Sequence, residues 1–166
     1  MKKLTVAILA CILTAGVAAA DRDAAKIKAD IDALMTNFHK AAAMADARTY
    51  FGLMAPGAFF LGTDITERWT KEAFEAWAQP RFKGKSAWVY WARSRNIFLS
   101  ADTTVAWLDE DLESASYWPC RGTAVLEKIG GQWKIRHYSL TFTIPNSAVP
   151  DIKPVVLREF GKGQEK

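Results

Sequence analysis

The chain has 166 residues, half of them apolar, with seven tryptophans, nine phenylalanines and a formal charge of +4. That length and apolar content suit one domain with a substantial core and exclude a disordered chain. The charge excess is too small to draw a polyanion strongly, so no nucleic-acid partner is expected.

The predicted elements begin with an export segment. Lys2 and Lys3 precede an apolar run from Leu4 to about Ala15, and Gly16 leads through Ala18-Ala19-Ala20 to the charged Asp21, Arg22 and Asp23. This is the pattern of a signal peptide cut after Ala20. A membrane anchor needs about twenty uninterrupted apolar residues, more than this run supplies. A lipoprotein acylated at Cys11 fits less well, because the apolar stretch before that cysteine is very short. The expected mature unit is residues 21–166, periplasmic or secreted, with no membrane attachment after cleavage and a charge of +2 once Lys2 and Lys3 are lost. It retains a single cysteine, Cys120, so no internal disulfide forms. This thiol reads as a small semi-buried hydrophobe, since no neighbouring base or helix N-terminus would activate it.

From Asp23 to about Asp46, Ile27, Ile31, Leu34, Phe38 and Ala42 recur at three- and four-residue steps, which predicts an amphipathic helix with one buried stripe. A short helix over Ala47 to Leu53 is stopped by Pro56-Gly57. Ala58-Phe59-Phe60-Leu61 reads as a strand, and Thr70 caps a third helix, Lys71 to Trp77, that ends before Pro80. After Gly84 the character changes. Trp88–Phe98, Thr103–Leu108, Arg121–Ile129 and Trp133–Ile144 are four β-branched and aromatic runs separated by turn residues. Helices first and strands afterwards predict an α+β domain with a strongly curved antiparallel sheet.

Gly130-Gly131 is a two-residue hairpin signal, and counting outward from it sets Leu126 opposite Ile135, Ala124 opposite His137 and Gly122 opposite Ser139. In this register Trp133, Ile135 and His137 face inward, and the opposed pairs shrink away from the turn. The far end of the hairpin then has room and polar groups where the near end has packing.

The Phe38-His39 helix, the run Phe59-Phe60-Leu61-Gly62-Thr63-Asp64 with Glu67-Arg68-Trp69 behind it, and the ending Arg121-Gly122-Thr123-Ala124-Val125-Leu126 and Gly131-Gln132-Trp133-Lys134-Ile135-Arg136-His137-Tyr138-Ser139-Leu140 together resemble the SnoaL-like branch of the nuclear-transport-factor-2-like (NTF2-like) superfamily. The resemblance spans nearly all of the mature chain. It implies a cone in which a bent sheet and helices enclose an apolar cavity, often in a homodimer that pairs sheets. The superfamily holds isomerases, cyclases, dehydratases, epoxide hydrolases and non-enzymatic binding modules, so the fold does not by itself assign a function. The tyrosine and paired aspartates of its isomerases find no match here, with Phe38 and His39 in the comparable helix region.

His137 is the leading candidate for acid/base chemistry, because an inward imidazole titrates near neutrality; the plainer alternative is a neutral ring hydrogen-bonded to Ser139 or another strand or helix group. Asp64 and Glu67, in the loop after the first strand, are the candidate carboxylates. Their local alternative is a turn cap for Asp64 and an ion pair to Arg68, Arg93 or Arg121 for Glu67. His39, Trp69, Trp88, Tyr90, Arg121 and Ser139 are the expected ligand-binding residues, the aromatic ones suiting a flat or cyclic apolar molecule. A metal shared by the two histidines and Asp64 or Glu67 lacks any H-x-x-x-H or cysteine spacing, and neither a metal nor another cofactor is expected. Arg81, Lys83, Lys85, Arg93 and Arg95 read as a solvated face, and Asp109, Glu110, Asp111 and Glu113 as a soluble hairpin connection without calcium-loop spacing. The sequence thus predicts an exported small-molecule-binding protein, with cofactor-free isomerisation, dehydration or cyclisation as its chemistry if it is an enzyme. A dimerisation or protein-interaction module is the alternative.

Overall fold

The computed structural model describes the backbone of residues 2–117 and 119–164 and the side chains of residues 21–161 apart from residue 118. The side chains on which the signal peptide and the Cys11 alternative rest therefore lie outside those described.

Helix α1 (Lys2–Ala43) is followed by α2 (Ala47–Gly52), β1 (Met54–Leu61), β2 (Arg68–Thr70), α3 (Lys71–Ala78), β3 (Trp91–Leu99), β4 (Val105–Glu113), β5 (Cys120–Ile129), β6 (Gln132–Phe142) and α4 (Val149–Gln164). The predicted stripe on α1 is the buried one: Ile31, Phe38 and Ala42 are enclosed together with Met35, and Ile27 and Leu34 pack at its margin. Each fully buried Ile, Met or Phe contributes about 1.5–3 kcal/mol of hydrophobic stabilisation. Ala45 takes a positive φ of 54° just past the end of α1, and Asp46 then caps α2 by accepting the Thr49 amide at 3.0 Å. Thr70 caps α3 through the Ala73 amide at 3.3 Å, as its spacing predicts. No element is expected beyond Ile144, yet α4 forms there despite Pro154 within it. Its residues Val149, Val155, Val156, Leu157 and Phe160 stay exposed.

The α+β class holds, with the N-terminal helices packed on a curved, unclosed six-stranded sheet of order β2-β1-β6-β5-β4-β3. All neighbours are antiparallel except β1 and β6, which run parallel. This pair places the first strand beside the last, and β2 and β3 remain the two edges of the sheet.

Two further features depart from the sequence reading. Strand β4 runs on through Asp109, Glu110, Asp111 and Glu113 rather than ending at Leu108, because alternation carries Leu108, Glu110 and Leu112 inward while the acids between them face outward. The β5–β6 ladder follows the predicted register from the turn as far as Leu126 opposite Ile135, then slips. Val125 pairs with His137, Ala124 with Tyr138, Thr123 with Ser139 and Gly122 with Leu140. Arg136 is the extra residue of a β-bulge, and with a side-chain period of two a one-residue slip exchanges the faces of everything beyond it.

Candidate functional site

Between β1, β2, α3 and the segment leading to β3 lies a cavity of about 310 Å³. Its walls are mainly aromatic. Trp69 and Trp77 lie 4.6 Å apart, Trp69 stacks on Phe74 at 5.4 Å, and Phe74 stacks on Phe60 at 3.9 Å and on Trp88 at 5.8 Å. On the opposite side Tyr90 and Tyr117 stand parallel with centroids 6.4 Å apart. These rings come from four separate segments, β1–β2, α3, the approach to β3 and the β4–β5 connection. Glu67 and Arg81 are its charged lining residues. The Glu67 carboxylate folds over Gly62, where a Cβ would stand 2.1 Å from its Oε2, and it accepts the Asp64 amide at 3.3 Å. Burial pushes the Tyr90 phenol far above its ordinary range, and the charges of Cys120, Tyr117 and Glu67 add to that.

Deeper in the cone, a polar network joins α1 to the sheet. Glu110 is completely buried. Its Oε1 meets His39 Nε2 at 2.7 Å and accepts the Tyr138 hydroxyl at 2.8 Å, while Oε2 accepts Arg95 Nε at 2.8 Å. Arg95 also reaches Asp32 Oδ1 at 2.6 Å and the Asp32 carbonyl at 3.0 Å. Burial pushes the Glu110 carboxyl up, but the His39 hydrogen bond, the charges of His39 and Arg95, and the Tyr138 hydroxyl outweigh it and hold the group below its ordinary value. Among the described residues no buried side-chain nitrogen or oxygen lacks a partner. The network is closed on itself, which is the condition under which buried charge is tolerated.

The absence of a side chain at Gly122 makes this network possible. A Cβ there would stand 2.3 Å from the Tyr138 hydroxyl and 2.8 Å from Glu110 Oε1. Sequence reasoning missed Glu110, Arg95 and Tyr138. The available signal was the alternation Ala106, Leu108, Glu110, Leu112, with a carboxylate in an apolar register.

The structure gathers Glu67, Trp69, Trp88 and Tyr90 around the aromatic cavity and puts His39 in the buried network. It separates the others. His137 does not face inward: the bulge at Arg136 turns it, with Ser139, to the face opposite buried Tyr138 and Leu140. The inward-facing register behind its proposed chemistry is thereby corrected. Arg121 is exposed on the sheet, 3.6 Å from Asp111. Asp64 is an exposed turn residue whose Oδ1 accepts the Thr66 amide at 2.8 Å and the Thr66 hydroxyl at 2.6 Å, and the hydroxyl bond leads the causes that hold its carboxyl low. Asp64 thus fills the local capping role, away from the cavity lining. No group of three or more metal-ligating side chains is found among the described residues.

A model of the SnoaL-like domain matches residues 31–145. Curated proteins give no match. Among solved structures, an NTF2-like protein from Pseudomonas putida KT2440 superposes with a TM-score of 0.59 at 13% identity, covering 71% of this chain and 87% of its own. A candidate dehydratase of the NTF2-like family from Streptomyces avermitilis gives 0.58 at 10% identity, with 70% and 95% covered. A candidate ketosteroid isomerase from Parabacteroides distasonis gives 0.55 at 16% identity, with 69% and 86% covered. At these identities the likeness concerns the fold.

Proposed function

The chain belongs to the SnoaL-like branch of the NTF2-like superfamily, and from that membership and the geometry above we propose that it binds a small, flat, largely apolar molecule in the cavity walled by Trp69, Trp77, Trp88 and Tyr90. The aromatic lining is the observation that carries this reading. Rings locked against one another form a rigid apolar wall at little entropic cost, and a volume near 310 Å³ accommodates a molecule of about two fused rings. Binding is favoured over catalysis because the imidazoles and the acid that would serve proton transfer are elsewhere. His137 lies on the far side of the sheet, and His39 and Glu110 are consumed by each other, Arg95 and Tyr138. Any isomerisation, dehydration or cyclisation would fall to Glu67, the carboxylate that lines the cavity. In the same reading the mature unit works in the periplasm or outside the cell, on the strength of the Lys2-Lys3 and Ala18–Ala20 pattern.

Titration with 2-naphthamide, a neutral bicyclic probe, followed by tryptophan fluorescence tests the reading. Saturable binding is expected, weakened about tenfold by Trp69→Ala, since losing an aromatic contact of this kind costs on the order of 1–2 kcal/mol. An affinity indifferent to that substitution would overturn it.

A second reading, a dimerisation or interaction module, is supported by the outer face of the sheet. There Phe98 and Trp107 stack at 5.9 Å, each almost half exposed. The pairings continue that row through Val125 and His137 to Phe59.

A further inference from the structure

We infer that the molecule taken up by the aromatic cavity is an acid, an aromatic or polycyclic carboxylate whose charged group is received by Arg81; this rests on the binding reading above and names its substrate class. Arg81 lines the cavity and lies over the Trp77 ring, with its guanidinium carbon 3.6 Å from the ring centroid. Its Nη1 makes a long hydrogen bond to the Trp77 carbonyl at 3.4 Å. A cation–π contact to the ring does not consume the N–H donors of the guanidinium, which stay available to an anion. Among the described residues no carboxylate pairs with it, whereas Arg93, Arg95, Arg121, Arg136 and Arg158 all have acidic partners.

This is an oriented cation without an anion, at the rim of a pocket built for flat rings. Lys83 and Lys85 follow on the same exposed segment, also without ion pairs among the described residues. The one opposing charge in the lining, Glu67, is engaged at the Gly62 end by the Asp64 amide. Arg81 is tied instead to Trp77. A ligand with its rings against the aromatic wall and its carboxylate toward Arg81 would meet the guanidinium N–H donors, a fork of which grips a carboxylate.

The test compares two probes of one shape, naphthalene-2-carboxylate and 2-naphthamide, on the intact protein by isothermal titration at low salt. The acid is expected to bind about tenfold more tightly than the amide, as one charge-assisted contact implies, and Arg81→Gln is expected to erase that ratio while Arg81→Lys retains part of it. Equal affinities in the unmodified protein, or a preference that survives Arg81→Gln, overturn the inference and leave the cavity reading standing. If neither probe binds, the cavity reading falls, and the inference with it.

Discussion

At the scale of single residues, the molecule turns on a glycine and a glutamate. Gly122 lies opposite Glu110 on one side and Leu140 on the other, and the space left by its missing side chain is occupied by the hydrogen bond between Tyr138 and Glu110. Gly122→Ala would place a methyl 2.3 Å from the Tyr138 hydroxyl, so Tyr138, Glu110 or the strand must move. Overpacking of this kind costs about 1–3 kcal/mol, read as a lower urea midpoint. Because the clash is with the hydroxyl, Gly122→Ala combined with Tyr138→Phe is expected to be less destabilised than the two single effects added together. Simple additivity in that double-mutant cycle would show that the two positions do not compete for the same space. His39 shows why residue type alone is a poor guide. A histidine one step past Phe38 could border a ligand, and whether it does depends on Glu110, seventy-one positions away.

At the scale of elements, the bulge in β6 decides which side chains the cone encloses. Arg136, the extra residue, sends its Nε and Nη2 to Glu127 Oε2 at 2.9 and 2.7 Å, and its Nη1 donates to the Pro56 carbonyl. Pro56 and Gly57, with its positive φ of 67°, lie where β1 is itself out of step with β6 between Met54 and Phe59. One guanidinium thus ties together the irregular stretches of two parallel neighbours. Arg136→Ala is expected to cost about 1–2 kcal/mol, less than a buried charged contact because the side chain is one-third exposed. Hydrogen exchange should show the loss concentrated at Met54–Phe59. A loss spread evenly over the sheet would mean that Arg136 does not pin the bulge.

At the scale of the whole molecule, the sheet has two unlike faces. The inner one is filled by α1 and the Glu110 network. The outer one carries Phe98 and Trp107 in the open, a pair that a monomer gains nothing by exposing. A second copy packing its sheet against this row would cover it. Trp107→Glu, which puts a charge at the centre of such an interface, is then expected to convert a dimer to a monomer in sedimentation velocity, with the aromatic cavity on the other face still binding its probe. An unmodified protein that sediments as a monomer at tens of micromolar would remove the dimer from consideration.

Features that depend on near neighbours along the chain were legible from the residues alone. The buried stripe of α1, the cap at Thr70, the hairpin at Gly130-Gly131 and the α+β order are all set by periods of 3.6 and 2 and by turn chemistry acting within a few residues. The clustering of Trp69, Trp88 and Tyr90 was legible only as a tendency of aromatic side chains to line or fill the interior. Only the tertiary structure decided which face His137 takes, because that depends on one unpaired residue held by contacts to Glu127 and Pro56, neither of them adjacent in sequence. It also decided that Glu110 belongs inside, since a buried carboxylate is tolerable only where His39, Arg95 and Tyr138 converge on it from α1, β3 and β6. A charge is costly or stabilising according to what surrounds it, and those surroundings are assembled from segments that meet only when the chain folds.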